Sequence, residues 1–141
     1  MNIKQAMAKF LKDSDTIRDL TGGRIFPQRA NQGVKLPYVV IRRLGGTPFN
    51  DLAGEPACTV TILDIAAHAE SDNQVEDITE AIRNRLSSYR GPMGELQCHT
   101  CSLESSPRDI ARPPRDGSDS WRFSSSAAYR ITHSQPLVTH T

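Results

Sequence analysis

Apolar residues at helical spacing open the chain. Ile3, Ala6, Met7, Phe10 and Leu11 share one face over residues 2–12, with Lys4, Lys9 and Lys12 left to solvent, so this segment is expected to form an amphipathic helix. Asp13, Ser14 and Asp15 supply cap chemistry for a short second turn carrying Ile17 and Leu20, and Gly22 or Gly23 can end it in the left-handed conformation. The pattern then changes period. Arg24–Phe26 predicts a short strand closed by Pro27, followed by the polar loop "QRANQGVK", and the β-branched and aromatic run Tyr38–Leu44 predicts a second strand stopped by "GGTP".

Gly54 and Pro56 in "FNDLAGEPA" mark a hairpin loop. Beyond it Cys58–Ala67 alternates with Val60, Ile62 and Ala66 on one face and Leu63 and Ile65 on the other; apolar residues on both faces predict a central strand covered on both sides. The clearest element follows. Ser71 or Asp72 caps a helix over 72–89, with Val75, Ile78, Ile82, Leu86 and Tyr89 in one stripe and arginines near its end, where they suit the helix dipole; "GPMG" stops it. Two more strands are expected at Leu96–Leu103 and Trp121–Thr132. In the latter Trp121, Phe123, Ser125, Ala127, Tyr129 and Ile131 face one way and Arg122, Ser124, Ser126 and Arg130 the other. The order of elements predicts an α+β fold: a mixed or mainly antiparallel sheet of about five strands, packed by an N-terminal helix and a longer central helix. Residues 1–133 are expected to form one domain and 134–141 a flexible tail.

Composition narrows the functional classes. With 141 residues, a single core burying roughly two-thirds of the unfolded surface is attainable. The 17 basic and 16 acidic side chains nearly cancel, so no global field draws the chain to nucleic acid or membrane. No apolar run approaches the length of about 20 residues that crosses a bilayer, and no signal-peptide h-region is expected at the N-terminus. Three cysteines, an odd number, argue for reduced thiols over a disulfide framework.

The candidate chemistry is thin. Cys98 and Cys101 in "CHTC" have redox or zinc-knuckle spacing, but they lie in a predicted strand whose alternation sends them to opposite faces, and no second pair completes four ligands. Cys58 could add a thiolate only if its strand neighbours theirs. His68, His99, His133 and His140 have no i, i+4 partner, and no "GxSxG" frame accompanies the many serines. Asp64, between Leu63 and Ile65, is expected near a strand end or paired with an arginine rather than alone in the core. "GGRIFPQRANQGVK" lacks the GxxxxGK[ST] spacing of a phosphate loop and leads into Leu36 and Pro37, not a helix. What it offers is an adaptable polar loop on a sheet, better suited to protein contact than to catalysis. The second long segment, "PRDIARPPRDGSD", reads equally as a solvated linker or as an arm that orders on a partner.

The order of these pieces resembles the tail completion, or tail terminator, proteins of long-tailed phages. The resemblance rests on the N-terminal helix ending in "LTGGRIFPQRANQGVKLPYVVIRRLGG", the strand "CTVTILDIAAHA" and the helix "QVEDITEAIRNRL", covering about residues 1–90. It implies a small subunit that assembles into a ring, usually hexameric, at the head-proximal end of the tail tube. Such a ring stops tube growth and offers a joint to the head connector, with DNA passing through its centre. The implied partners are copies of the same chain, the major tail tube protein and a connector protein. No cofactor and no catalysis are implied, and the place of action is the virion, after assembly in the host cytoplasm. Loops at 27–36, 47–56 and 107–119 would meet these partners. The residues expected to make contacts are Pro27, Gln28, Arg29, Asn31, Gln32 and Lys35 in the first loop, Arg108, Arg112 and Arg115 in the last, and Arg122 and Arg130 on the final strand. That strand is expected to be an unpaired edge. A head-closure or adaptor protein of the same neck region, and a small zinc or thiol-redox protein built on Cys98 and Cys101, are the competing readings.

Overall fold

The computed structural model describes residues 2–28, 34–50, 56–112 and 122–134; for 47–50, 56–57 and 105–112 only the backbone path is described. Among the described residues the chain forms three helices and a six-stranded mixed sheet, the expected α+β class with one strand more than expected.

Helix α1, Ile3–Lys12, begins at a capping box. Asn2 Oδ1 accepts from the Gln5 amide at 2.8 Å, and Gln5 Oε1 accepts from the Asn2 amide at 3.1 Å. Its predicted stripe of Ile3, Ala6, Met7, Phe10 and Leu11 is buried. Helix α2, Asp15–Thr21, is capped by Ser14 and buries Ile17 completely. It ends at Gly22 and Gly23, at φ +65° and +79°, so the glycine pair makes a left-handed turn. Helix α3, Asp72–Leu86, starts at the Ser71 cap and buries Val75, Ile78, Ile82 and Leu86. It stops short of Tyr89, which leaves the helix but still stacks on Phe10 with ring centroids 4.3 Å apart.

The strands are β1 (Ile25–Phe26), β2 (Tyr38–Asn50), β3 (Pro56–Ala69), β4 (Gly91–Met93), β5 (Leu96–Arg112) and β6 (Arg122–Ser134), in the sheet order β1-β2-β3-β6-β5-β4. Only β1 runs parallel to its neighbour. The glycines expected to stop β2 do not. The ladder shifts register between Arg43 and Gly45 and continues to Asn50, because a bulge accommodates glycines that a regular strand disfavours. A Cβ at Gly46 would stand 3.1 Å from the Val60 carbonyl oxygen and 2.7 Å from the Arg43 guanidinium, so a larger residue there would press on the β3 backbone and displace the Arg43 side chain. The segment after Leu103, expected to be a loop, extends β5 to Arg112 along β6, with a register shift that takes in Pro107, a residue without an N–H for the ladder.

All three helices lie on one face of the sheet, over a core that includes Leu63, Ile65, Ala127, Tyr129 and Ile131. Among the described residues no helix lies on the opposite face. Val60, Ile62 and Ala66 of β3 are only half-buried there, so β3 is central in the sheet but covered on one side, not both. Strand β6 is likewise interior, paired with β3 and β5 along its length, and therefore cannot be the open edge expected from the sequence.

Candidate assembly interface

Strand directions bring several of the expected contact residues to one end of the sheet. The start of β2, the end of β3, the start of β6 and the end of β5 meet there through the pairs Tyr38 with His68, Ala69 with Phe123, and Arg112 with Arg122. Exposed Lys35 precedes the cis Leu36–Pro37 bond that leads into β2 at this end, whereas Pro27 and exposed Gln28 continue from β1, which runs parallel to β2, toward the other end. Arg24 fixes this entry by donating from Nε to the Pro37 carbonyl at 2.9 Å. Arg122 is exposed and lies over the Tyr38 ring, 5.5 Å from its centroid. Tyr38 in turn stacks on His68 at 4.8 Å and meets Phe26 edge-on at 6.2 Å, and His68 Nδ1 is 2.7 Å from Ser124 Oγ. This aromatic cluster stiffens the platform from which Lys35 and Arg122 project. Sequence reading passed over it, since Phe26, Tyr38 and His68 are far apart in the chain and only the β1-β2-β3 order assembles them.

Arg130 stands apart from that end. On the face opposite the helices it holds Glu104 with two bonds, at 3.1 and 3.4 Å, and half of its side chain stays in water. Asp64 is paired with Arg42 at 3.4 Å, the arginine partner expected for it. Arg108 and Arg112 lie in the β5 ladder opposite Ser126 and Arg122. Arg29, Asn31, Gln32 and Arg115 lie outside the described residues.

The thiol pair departs from the strand alternation. A register shift between Cys98 and Thr100 inserts His99 as an extra residue, which returns Cys98 and Cys101 to the same, helix-covered face, where both are buried. Burial pushes Cys98 up to about 11 and, with the nearby Cys98 adding to it, Cys101 up to about 12. Cys98 Sγ donates weakly toward the Thr100 carbonyl at 3.4 Å. Cys58 lies on β3, separated from β5 by β6. Among the described residues no group of three or more His, Cys, Asp or Glu side chains is placed to hold a metal ion.

Near the far end of the helix layer, Arg85 of α3 donates from Nε to the Phe10 carbonyl at 2.9 Å and sits 4.1 Å over the Phe10 ring. With Tyr89 and Asn84 it borders an open cleft between α1 and α3. The arginine is thereby committed to joining the two helices.

A mixed sheet with the described helices packed on one face defines a small α+β subunit. Comparison with known families is specific: the model of tail completion protein gp17 matches residues 5–113, and the chain belongs to that family of structural phage tail proteins. A comparison with curated proteins matches none of them. Among solved structures, a chain from the virion of a native gene transfer agent particle is similar in fold, with TM-score 0.69, 13% identity and 93% of each chain covered. Among the described residues no helix is long and apolar enough to cross a membrane.

Proposed function

We propose that this tail protein forms a ring at the head-proximal end of the tail tube, ends tube growth there and provides the joint to the head connector. The match to the tail completion family over residues 5–113 carries this reading. The topology supports it. The approach to β2 through Lys35 and Pro37 and the β5–β6 connection lie at one end of the sheet, whereas the β2–β3 connection leaves it at the other. A subunit with contact segments at two opposite ends suits a part that meets a tube on one side and a connector on the other. Pro27, Gln28, Arg29, Asn31, Gln32 and Lys35, with Arg108, Arg112, Arg115 and Arg122, then serve partner contact, and Arg130 serves the face opposite the helices.

Near-equal numbers of basic and acidic side chains suit a conduit, since a strongly basic lumen would hold passing DNA by its phosphates. On this reading the subunit performs no catalysis and needs no cofactor. The buried, weakly acidic thiols of Cys98 and Cys101 disfavour the zinc or redox alternative.

Purified protein offered separately to isolated tail tubes and to filled heads tests the assignment. A terminator caps tubes at one end and lets them join heads afterwards. Binding to filled heads with none to tubes would instead identify a head-closure or adaptor protein.

A further inference from the structure

Among the described residues the sheet has two open margins. Among the described residues β1 pairs only with Val39 and Val40, so the outer edge of β2 from Ile41 to Asn50 has no strand beside it. On the other margin β4 pairs with Leu96, Gln97 and Cys98 and the Ser88 amide donates to the Cys101 carbonyl at 3.2 Å, leaving, among the described residues, the outer edge of β5 from Ser102 to Arg112. The Val39 amide donates outward to the Arg24 carbonyl at 2.9 Å; amides alternate along a strand, so those of Ile41 and Arg43 point outward as well. Edges of this length template further pairing unless they are blunted.

A second observation marks the same two strands. The described residues expose two large hydrophobic side chains, Leu44 at 54% and Leu103 at 40%, and one lies on each open edge. Both strands thus present unpaired backbone beside an uncovered leucine, a combination that a subunit working alone would blunt with charge.

Direction and charge select the occupant. β2, β3, β6 and β5 are joined by three antiparallel pairings, so β5 runs opposite to β2. Rotation about an axis along the strands keeps these directions, and a neighbouring copy then brings its β5 antiparallel to β2, continuing the same ladder. Arg42 and Arg43 are exposed on β2, and half-exposed Glu104 lies on β5. Pairing β2 with β5 sets opposite charges near the seam, whereas a two-fold β2–β2 contact would set arginines against arginines.

We propose that copies of this chain join head to tail by antiparallel pairing of the β2 edge of one with the β5 edge of the next, burying Leu44 and Leu103 at the seam. This specifies the self-contact of the ring reading and rests on it. The test uses the full chain, as purified protein over a concentration series and on isolated tails. Leu44→Cys, Leu103→Cys and the double variant are oxidised mildly, and the linked positions are identified by mass spectrometry. The double variant is expected to give a covalent ladder joined between positions 44 and 103, with neither single variant forming a product linked through its new thiol. Leu44→Lys and Leu103→Lys are expected to melt as the parent protein does yet weaken assembly about tenfold or more, since each buries a charge where the seam holds a leucine.

Parent assemblies that form no 44–103 linkage and tolerate both lysines would overturn the edge pairing while leaving the ring in place. A dimer from Leu44→Cys alone, linked 44 to 44, would also overturn it, in favour of a two-fold contact. A parent chain that is monomeric both free and on tails would overturn the ring reading and this inference together.

Discussion

Whether "CHTC" is reactive separates a structural subunit from a thiol or zinc protein, and the structure sets a magnitude. The thiolate is the species that is alkylated or binds metal. At pH 8 a thiol of ordinary pKa 9.0 is about one-tenth ionised; at about 11 for Cys98 and about 12 for Cys101 the fractions fall to about one in a thousand and one in ten thousand. Alkylation of the folded protein should therefore be slowed about 100-fold at Cys98 and about 1,000-fold at Cys101 by ionisation alone, and further by burial to 0% and 3% exposure. Cys58, half-buried on β3, is the first to label. The assay is a time course of iodoacetamide labelling at pH 8 with peptide mapping, run on folded protein and in denaturant. Equal labelling rates at Cys98 and Cys58 in the folded protein would refute the reasoning, as would stoichiometric zinc lost on Cys98→Ser.

Three further outcomes follow from the fold and the contact surface. Ile78→Ala removes a fully buried side chain where α3 meets the sheet and should cost about 2–5 kcal/mol in denaturant unfolding; a cost below about 1 kcal/mol would mean that α3 is not seated there. His133, 2.9 Å from Thr61, has its pKa lowered by burial, then by Arg43 and His99. The unfolded chain therefore binds this proton more readily, so stability is full above the ordinary value of 6.5 and is lost as pH falls through the lower folded value; His133→Gln should flatten that window in pH-dependent melts. Arg29→Glu should weaken ring formation or tail joining; survival of both would reduce the 27–36 segment to a connection.

The helices were readable in advance because each carries its own signals. Asn2, Ser14 and Ser71 cap them, apolar residues repeat at helical spacing, and Gly22 with Gly23 ends the second in the left-handed region. Such signals act within a few residues of themselves. Strand limits depend on the neighbour. Gly45, Gly46 and Pro107 each argue locally for a break, yet pairing with β3 and β6 carries the backbone through them by register shifts. One extra residue at His99 likewise decides the facing of Cys98 and Cys101, and no alternation pattern shows where a bulge falls. The candidate contacts divide the same way. Lys35 and Arg122 were recognisable as loop or strand-end charge, but their common position depends on sheet order. So does the exchange of β6, expected to be an edge, for β2 and β5 as the margins. Leu44 drew no notice in the sequence, because an exposed leucine has meaning only once its strand is known to be unpaired.

On the proposed function this subunit closes the tail tube and joins it to the head. Electron microscopy of lysates from a phage or particle producer in which the gene is deleted tests it most directly. Filled heads separate from tails, with tails of irregular or excessive length, are the expected result, with restoration by the intact gene supplied in trans. Normal joined virions with tails of uniform length would contradict it.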